Sequence, residues 1–445
     1  MSLLLCLGRH TITGLLTTCG RQAQDWTADY RLLARGRLPL TGIFGVLRRA
    51  VLQELAPREP LLAVVDDTLL PRSGRHMPGV GWRRDPQGPH FQTNLILGQR
   101  FVQVSIALPG RPGEETLIPI AFEPAPTPSK PARRAEPEQW RQYRQQCRRQ
   151  SVSRHAVQSL AALREALDQE DPGRSLLVAL DGGYTNHTLL PRLPAGTVAI
   201  GRIRKDARLY HPATPDPGRG RRRCYGERAP TPEQIRTDPR YPWHTLTLPH
   251  HGTAWKIRYK CVTPLLWRSA GARRPLQLIV VAPRPYRRKR GDKLLYRQTA
   301  YLIATDPALP AATIIAAYLR RWGIEVNFRD EKTLLGAGQA QVRNLQSAQA
   351  APGLAVISYA MLRLSVWRAD ADGPLPALPP PAWQRSSPSP SSTSTRAAQR
   401  QLRADVWGQA LSAPFLPPFA PGSPPCTKPP IIDFPLASAA FYASS

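Results

Sequence analysis

Hydrophobic and polar positions fall into blocks along this chain, and each block predicts an element. Residues 1–58 carry apolar positions at helical spacing in three pieces, HTITGLL, DWTADYRLLARG and TGIFGVLRRAVLQEL, separated by Gly-containing turns. The run LLAVVDDT (61–68) is continuously apolar until two acids end it, the pattern of a strand buried on both faces. RFVQVSIALP (100–109) and ETLIPIAFEP (115–124) predict two further strands of a meander. After a Pro-rich linker, residues 137–169 predict one long polar helix. SLLVALDGGYTN (175–186) repeats the earlier theme, an apolar strand ending in an acid, Asp181, followed by glycines; TVAIGRIR (197–204) is another strand.

The pattern changes at Lys205. Short alternating pieces, HTLTL, TAWKIRYKCV and LQLIVVAP, stand among basic Pro/Gly loops and predict a β-rich insertion as far as residue 293. LLYRQTAYLIATD (294–306) returns as a strand, a long helix starts at Ala311, and APGLAVISYAMLRLSVWRA (351–369) is a further helix. Beyond Asp370 the chain is rich in Pro, Ser and Ala, which predicts disorder with one short helix near Arg396–Leu411. The expected organisation is α/β: a helical domain over 1–58, a core over 59–204 and 294–369, an insertion over 205–293, and a tail over 370–445.

The helix AYLRRWGIEVNFRDEK (317–332) carries the most informative polar pattern. With Tyr318 at zero, Arg321, Glu325 and Lys332 fall at about −60°, −20° and −40° around a helix that advances roughly 100° per residue. An aromatic, an acid and two cations therefore share one stripe, beside an apolar stripe of Ala317, Ile324, Phe328 and Leu335. Arg321 and Glu325 taken alone also fit an ordinary i,i+4 surface pair. Trp322 lies about 40° off the stripe, a position that favours core packing over a stacking platform.

Charge narrows the function. The 445 residues carry a net charge of +30 spread along the whole length, which points to a polyanionic partner, DNA or RNA before a membrane. The six cysteines include no C-x2-C pair, so zinc-ribbon chemistry is not indicated and their scatter suits a reducing cytoplasm. The apolar start is too short for a signal peptide, and Gly353–Trp367 is the nearest approach to a membrane-spanning run. No Gly-rich loop followed by Lys-Ser/Thr supports a nucleotide cofactor. Arg21, Arg31, Arg35 and Arg37 among the first helices fit a DNA-binding helix-turn-helix or a plain helical lid equally. Three acids then stand out: Asp66, with Asp67 adjacent, Asp181 and Glu325. Carboxylates gathered in one cleft repel unless cations neutralise them, and oxygen ligands without His or Cys suit two Mg²⁺ or Mn²⁺ ions and phosphodiester chemistry.

These residues carry a resemblance. The Y-x2-R-x3-E-x6-K pattern at Tyr318, Arg321, Glu325 and Lys332, following VVDDT and LVALDGGY, resembles the DDE transposases of bacterial insertion sequences. The resemblance covers about residues 1–368. It implies a ribonuclease-H-like core interrupted by a β-rich insertion, with Asp66 favoured over Asp67. Asp66, Asp181 and Glu325 would hold two Mg²⁺ (or Mn²⁺) ions. The implied activity is cleavage of the element's ends and strand transfer to target DNA, by a homodimer on paired double-stranded ends (terminal inverted repeats) in the bacterial cytoplasm at the nucleoid. Tyr318, Arg321 and Lys332 would contact DNA, and Arg72 would take a phosphate-binding role where relatives carry Lys. The tail after Asp370 departs from the family and raises the alternative of a repurposed DNA-binding copy. Another ribonuclease-H-like nuclease is a further alternative. His250 and His251 read as a surface turn. The clusters Arg219/Arg221/Arg222/Arg223 and Arg287/Arg288/Lys289/Arg290 read equally as solvated loops or DNA-backbone contacts.

Overall fold

The computed structural model describes residues 1–85, 88–89, 91–110, 116–126, 128–214, 223–250, 253–270, 272–288, 291–371, 393–412 and 440. Four helices open the chain: α1 (Ser2–Leu5), α2 (Ile12–Thr18), α3 (Thr27–Ala34) and α4 (Leu40–Gln53). Thr11 caps α2, its side chain accepting from the Gly14 amide. Phe44, Leu47 and Val51 form one buried face of α4 at helical spacing, each contributing about 1.5–3 kcal/mol by burial.

Four strands follow: β1 (Leu61–Pro71), β2 (Val80–Arg84), β3 (Leu95–Leu108) and β4 (Thr116–Pro124). The stretch expected as one helix over 137–169 is two, α5 (Pro137–Arg149) and α6 (Val152–Glu170), because Gln150 and Ser151 leave helical pairing between them. α5 is mostly polar and fully buries no residue, its Trp140, Tyr143 and Cys147 stripe being half-buried, whereas α6 buries Ala156, Leu160, Leu163 and Leu167. Next come β5 (Leu176–Leu180), β6 (Thr197–Arg202), β7 (Tyr210–Pro212), β8 (Tyr225–Arg228) and α7 (Pro232–Thr237). The Thr231/Gln234 capping box starts α7. The chain continues through β9 (His244–His250), β10 (Thr253–Trp267), β11 (Ala272–Val281), β12 (Arg284–Tyr286), β13 (Leu295–Arg297) and β14 (Ala300–Ala304). The last helices are α8 (Ala311–Arg320), α9 (Gly323–Thr333), α10 (Leu345–Ala371) and α11 (Thr395–Ser412).

The large sheet runs β2-β3-β1-β5-β6-β14-β11-β10-β7-β8, with β4 also on β3 and β9 on β10. β1 is antiparallel to β3 and parallel to β5, β5 is parallel to β6, and β3 is antiparallel to β4. An antiparallel meander joined to parallel strands, with helices on both faces, is the ribonuclease-H-like arrangement. The expected fold class is therefore the observed one, and the sheet continues through β14 into β11 and β10 without a break.

The two faces bury separate cores. Ala63, Val65, Val178 and Leu180 pack in a cluster with residues of α4, α6 and α10. Leu62, Val64, Leu177 and Ala179 pack with Ile314 and Ile315 of α8 and Ile324 and Phe328 of α9. α10 is long and apolar enough to cross a membrane, but 67% of its most apolar stretch is buried inside the protein, so it is a core helix.

α11 is the short helix expected near Arg396–Leu411 within the otherwise disordered tail, and it runs slightly longer, over Thr395–Ser412. It forms because the helix has somewhere to dock: Ala398, Gln399 and Arg403 are buried, and Arg403 donates to the Cys6 carbonyl at 3.0 Å. The rest of the expected disordered tail, 372–392 and most of 413–445, lies outside the described residues.

Candidate active site

Strand periodicity decides where the acids point. Successive side chains on a strand alternate faces, so Asp66 shares the face of Leu62 and Val64, toward α8 and α9. Asp67 shares the face of Ala63 and Val65. Just past the end of β5, Asp181 continues the alternation of Leu177 and Ala179 toward the face of Asp66. The parallel register ends at Val65 beside Leu180, which sets Asp66 and Asp181 next to each other where that pairing stops. The sequence places Asp66 near a strand end, but in the structure it lies within β1. β1 runs on to Pro71 because β3 continues alongside it, pairing Asp66 with Gln103 and Pro71 with Gly98.

The third acid arrives from α9. Arg321 sits between α8 and α9, so the single long helix expected from Ala311 is broken here. The amides of Arg321, Trp322, Ile324 and Glu325 bond three residues back, a tightened turn in place of α-helical pairing. Gly323 permits the close approach that follows: a Cβ there would stand 2.9 Å from Leu117 Cδ1 on β4. The break keeps the polar stripe together. Arg321 Nη1 lies 3.2 Å from Asp66 Oδ2 and its Nη2 3.0 Å from Glu325 Oε1, one guanidinium spanning two acids far apart in sequence. The Tyr318 ring centroid is 5.8 Å from the Arg321 guanidinium carbon.

Burial raises the Asp66 pKa to about 7; the Asp67 amide and Arg321 oppose the rise, and the charges of Asp67 and Asp181 add to it. Burial likewise raises the Tyr318 phenol, with Asp181 adding to the rise. Asp181 therefore acts electrostatically on Asp66, Tyr318 and Arg321 together.

Asp67 is committed elsewhere. Arg100 Nε donates to its Oδ2 at 2.5 Å and the Tyr184 hydroxyl to its Oδ1 at 2.8 Å. Its two oxygens are spent on the α6 face, and Asp66 is the acid presented to α9.

Residues 1–275 match the family described as DDE superfamily endonuclease. The chain belongs to this family. No curated protein matches it. As a DDE superfamily endonuclease it is a nuclease-type enzyme whose substrate is DNA. The match includes the strands bearing Asp66 and Asp181 and ends before α9. Glu325 therefore stands on its helix pattern and on geometry, outside the matched residues.

Family members of this kind use divalent metal ions, and the donor chemistry fits one: three carboxylates and no His or Cys. Among the described residues no group of three or more His, Cys, Asp or Glu is drawn close enough to cage an ion. A cation already stands there, the Arg321 guanidinium between Asp66 and Glu325. The side chains thus fit a positive charge, and a metal would have to displace the arginine.

The other expected site residues separate. Arg72 is 8% exposed, donates to Gln99 Oε1 at 3.0 Å and to the carbonyls of Gly338 and Ala340, and is pushed down to about 10 by burial. Its place is inside, pinning the loop after α9 to the sheet, rather than on a phosphate, because β1 carries it past Gln99 beneath that loop. Lys332 lies 6.0 Å from the Phe328 ring centroid, with its pKa lowered by burial. Among the described residues it pairs with none of the three acids. Trp322, expected to pack in the core, is 63% exposed because the break between α8 and α9 turns it outward beside Arg321.

In the insertion, His250 packs against Trp255 with ring centroids 3.8 Å apart; His251 lies outside the described residues. Arg223, Arg287 and Arg288 are exposed, and Arg219, Arg221, Arg222, Lys289 and Arg290 lie outside the described residues. Lys256 and Arg258 on β10 pair with Thr247 and Thr245 on β9, an exposed basic face absent from the expected contacts. The alternation in TAWKIRYK was the available signal for it. Sequence reasoning also passed over Asn327, Asp330 and Glu331, which are buried on α9.

Proposed function

We propose that this DDE superfamily endonuclease is a transposase whose Asp66, Asp181 and Glu325 hold two divalent ions for cutting DNA ends and joining them to target DNA. The observation that carries the reading is the Arg321 guanidinium held between Asp66 and Glu325, which brings β1 and α9 to one point beside Asp181. When bound, such ions activate the attacking water or 3′-hydroxyl and stabilise the leaving oxygen of a phosphodiester. The chain's own groups supply the rest. Adjacent parallel strands fix Asp66 and Asp181, and the turn at Trp322–Gly323 aims Glu325 at them. Released from the acids, Arg321 is in reach of a phosphate, on which its fork makes two bonds. Trp322 presents an open ring on which an unpaired base can stack. Lys256, Arg258 and the net charge of +30 favour the DNA backbone.

Full-length protein is incubated with supercoiled plasmid bearing the flanking ends of its own coding region, in Mg²⁺ or in EDTA. The account expects nicking and joined product only with Mg²⁺, and neither from Glu325→Gln, which still binds DNA. Equal cutting by that variant rejects the assignment. Salt-sensitive binding without any Mg²⁺-dependent nicking favours the repurposed DNA-binding copy.

A further inference from the structure

α9 carries three buried polar side chains: Asn327, Asp330 and Glu331 are 3%, 5% and 2% exposed. Asn327 Nδ2 donates to Ser105 Oγ at 3.3 Å and to the Leu117 carbonyl at 3.2 Å, and Asn327 Oδ1 accepts from the Tyr359 hydroxyl at 2.9 Å. Asp330 accepts from Thr395 Oγ1 of α11 at 2.7 Å. Glu331 Oε1 accepts from Gln103 Nε2 at 3.0 Å. The last contact differs from the others in two ways. Gln103 is the cross-strand partner of Asp66, so it stands between the strand of the first acid and the helix of the third. Among the described residues, Gln103 Oε1 is also buried without a donor and no cation pairs with Glu331. A buried acceptor left unmet costs about 1–3 kcal/mol, and the remaining group in the pair able to meet it is a proton on Glu331.

We propose that Gln103 and Glu331 are positioning residues, joined as a two-way amide–carboxylic acid pair that fixes α9, and with it Glu325, against β1. Gln103 Nε2 donates to one oxygen of Glu331, and the protonated second oxygen donates to Gln103 Oε1. Apolar contacts of the kind made by Ile324 and Phe328 are non-directional and tolerate a slip along the sheet. Two opposed hydrogen bonds in a dry site do not. Burial raises the Glu331 pKa to about 8; the Gln103 bond and the Lys332 charge oppose the rise, and Asp330 adds to it. From α10, Tyr359 is the titratable group that senses the Glu331 charge. The proposal rests on the reading of Asp66 and Glu325 as catalytic acids.

The test uses full-length Glu331→Gln, Glu331→Leu and Gln103→Leu, with Glu325→Gln as control, in Mg²⁺-dependent plasmid nicking. An amide at residue 331 can make both bonds, so Glu331→Gln keeps kcat within about twofold, whereas each Leu variant loses about tenfold or more in kcat with KM for DNA unchanged, as expected of a misplaced group. A second arm melts the metal-free protein across pH. Folded Glu331 keeps its proton up to about 8 while the unfolded group releases it near 4.5, so its stabilisation is complete below 4.5 and is lost as pH rises through 8. The wild-type Tm therefore falls more steeply over that window than the Tm of Glu331→Gln. Loss of activity in Glu331→Gln as deep as in Glu325→Gln, wild-type kcat in the Leu variants, or identical melting slopes each overturn the pair. If the wild type cuts nothing with Mg²⁺, the catalytic reading fails, and the melting arm still decides whether the pair exists.

Discussion

Asp66 and Asp67 are neighbours of identical chemistry with opposite surroundings. On the α9 side of the sheet, Asp66 meets one shared guanidinium and the charge of Asp181, and its pKa is raised to about 7. On the α6 side, Asp67 is fully engaged by Arg100 and Tyr184. One face keeps carboxylates under-neutralised, the state that invites a cation. The other pairs its carboxylate with dedicated donors, the state that holds a fold together. Role follows from the face a side chain occupies, which strand alternation sets, and not from residue type.

The largest expected effect breaks the comparison directly. Asp66→Asn and Glu325→Gln should each lower single-turnover nicking by about 10³-fold or more, since removing a group from a catalytic unit costs nearly as much as removing the unit. Asp67→Asn should leave cutting within about tenfold and instead cost about 1–3 kcal/mol in denaturant melts, because Arg100 and Tyr184 lose a charged partner. Wild-type stability in Asp67→Asn together with lost nicking would reverse the assignment.

Much of this contrast was legible in the sequence. Leu62, Val64 and Asp66 share one parity, as do Leu177, Ala179 and Asp181, and the Y-x2-R-x3-E-x6-K spacing sets Tyr318, Arg321 and Glu325 on one stripe. Other features depend on long-range partners and were not legible. The length of β1 past Asp67 is set by β3. Arg72 is buried by a loop more than two hundred residues away. The polar run NFRDEK looks solvated until α10 and α11 cover part of it, through Tyr359 and Thr395. The break at Trp322 has only Gly323 as a local hint, and the approach of Leu117 from β4 that requires the glycine is a long-range contact.

A second test sharpens the α9 side. Arg321→Ala removes the cation between Asp66 and Glu325. Mn²⁺ should then bind about 5–50-fold tighter, because one buried competitor is gone, while the metal-free protein loses about 1–3 kcal/mol in urea melts. Unchanged Mn²⁺ affinity would show that the guanidinium does not occupy the metal's place.

The pH dependence of stability is a smaller effect with a defined sign. Metal-free Asp66 holds its proton up to about 7 in the folded chain and releases it near 3.8 when unfolded. Its stabilisation is complete below 3.8 and is lost as pH rises through 7. Asp66→Asn should flatten the Tm curve over that interval.

The smallest effects concern DNA. Trp322→Ala should weaken binding of an end with unpaired bases by about 1–3 kcal/mol and leave fully paired DNA unaffected. Arg258→Ala should lower the slope of log affinity against log salt by about 1 for any sequence.

The central claim is that Asp66, Asp181 and Glu325, and not Asp67, together hold the pair of divalent ions. Mn²⁺ titration followed by electron paramagnetic resonance on full-length wild type, Asp66→Asn, Asp67→Asn, Asp181→Asn and Glu325→Gln tests it most directly. The account predicts weakened Mn²⁺ binding in the Asp66, Asp181 and Glu325 variants and wild-type affinity in Asp67→Asn. Wild-type affinity in any of those three, or a loss in Asp67→Asn as large as theirs, would contradict it.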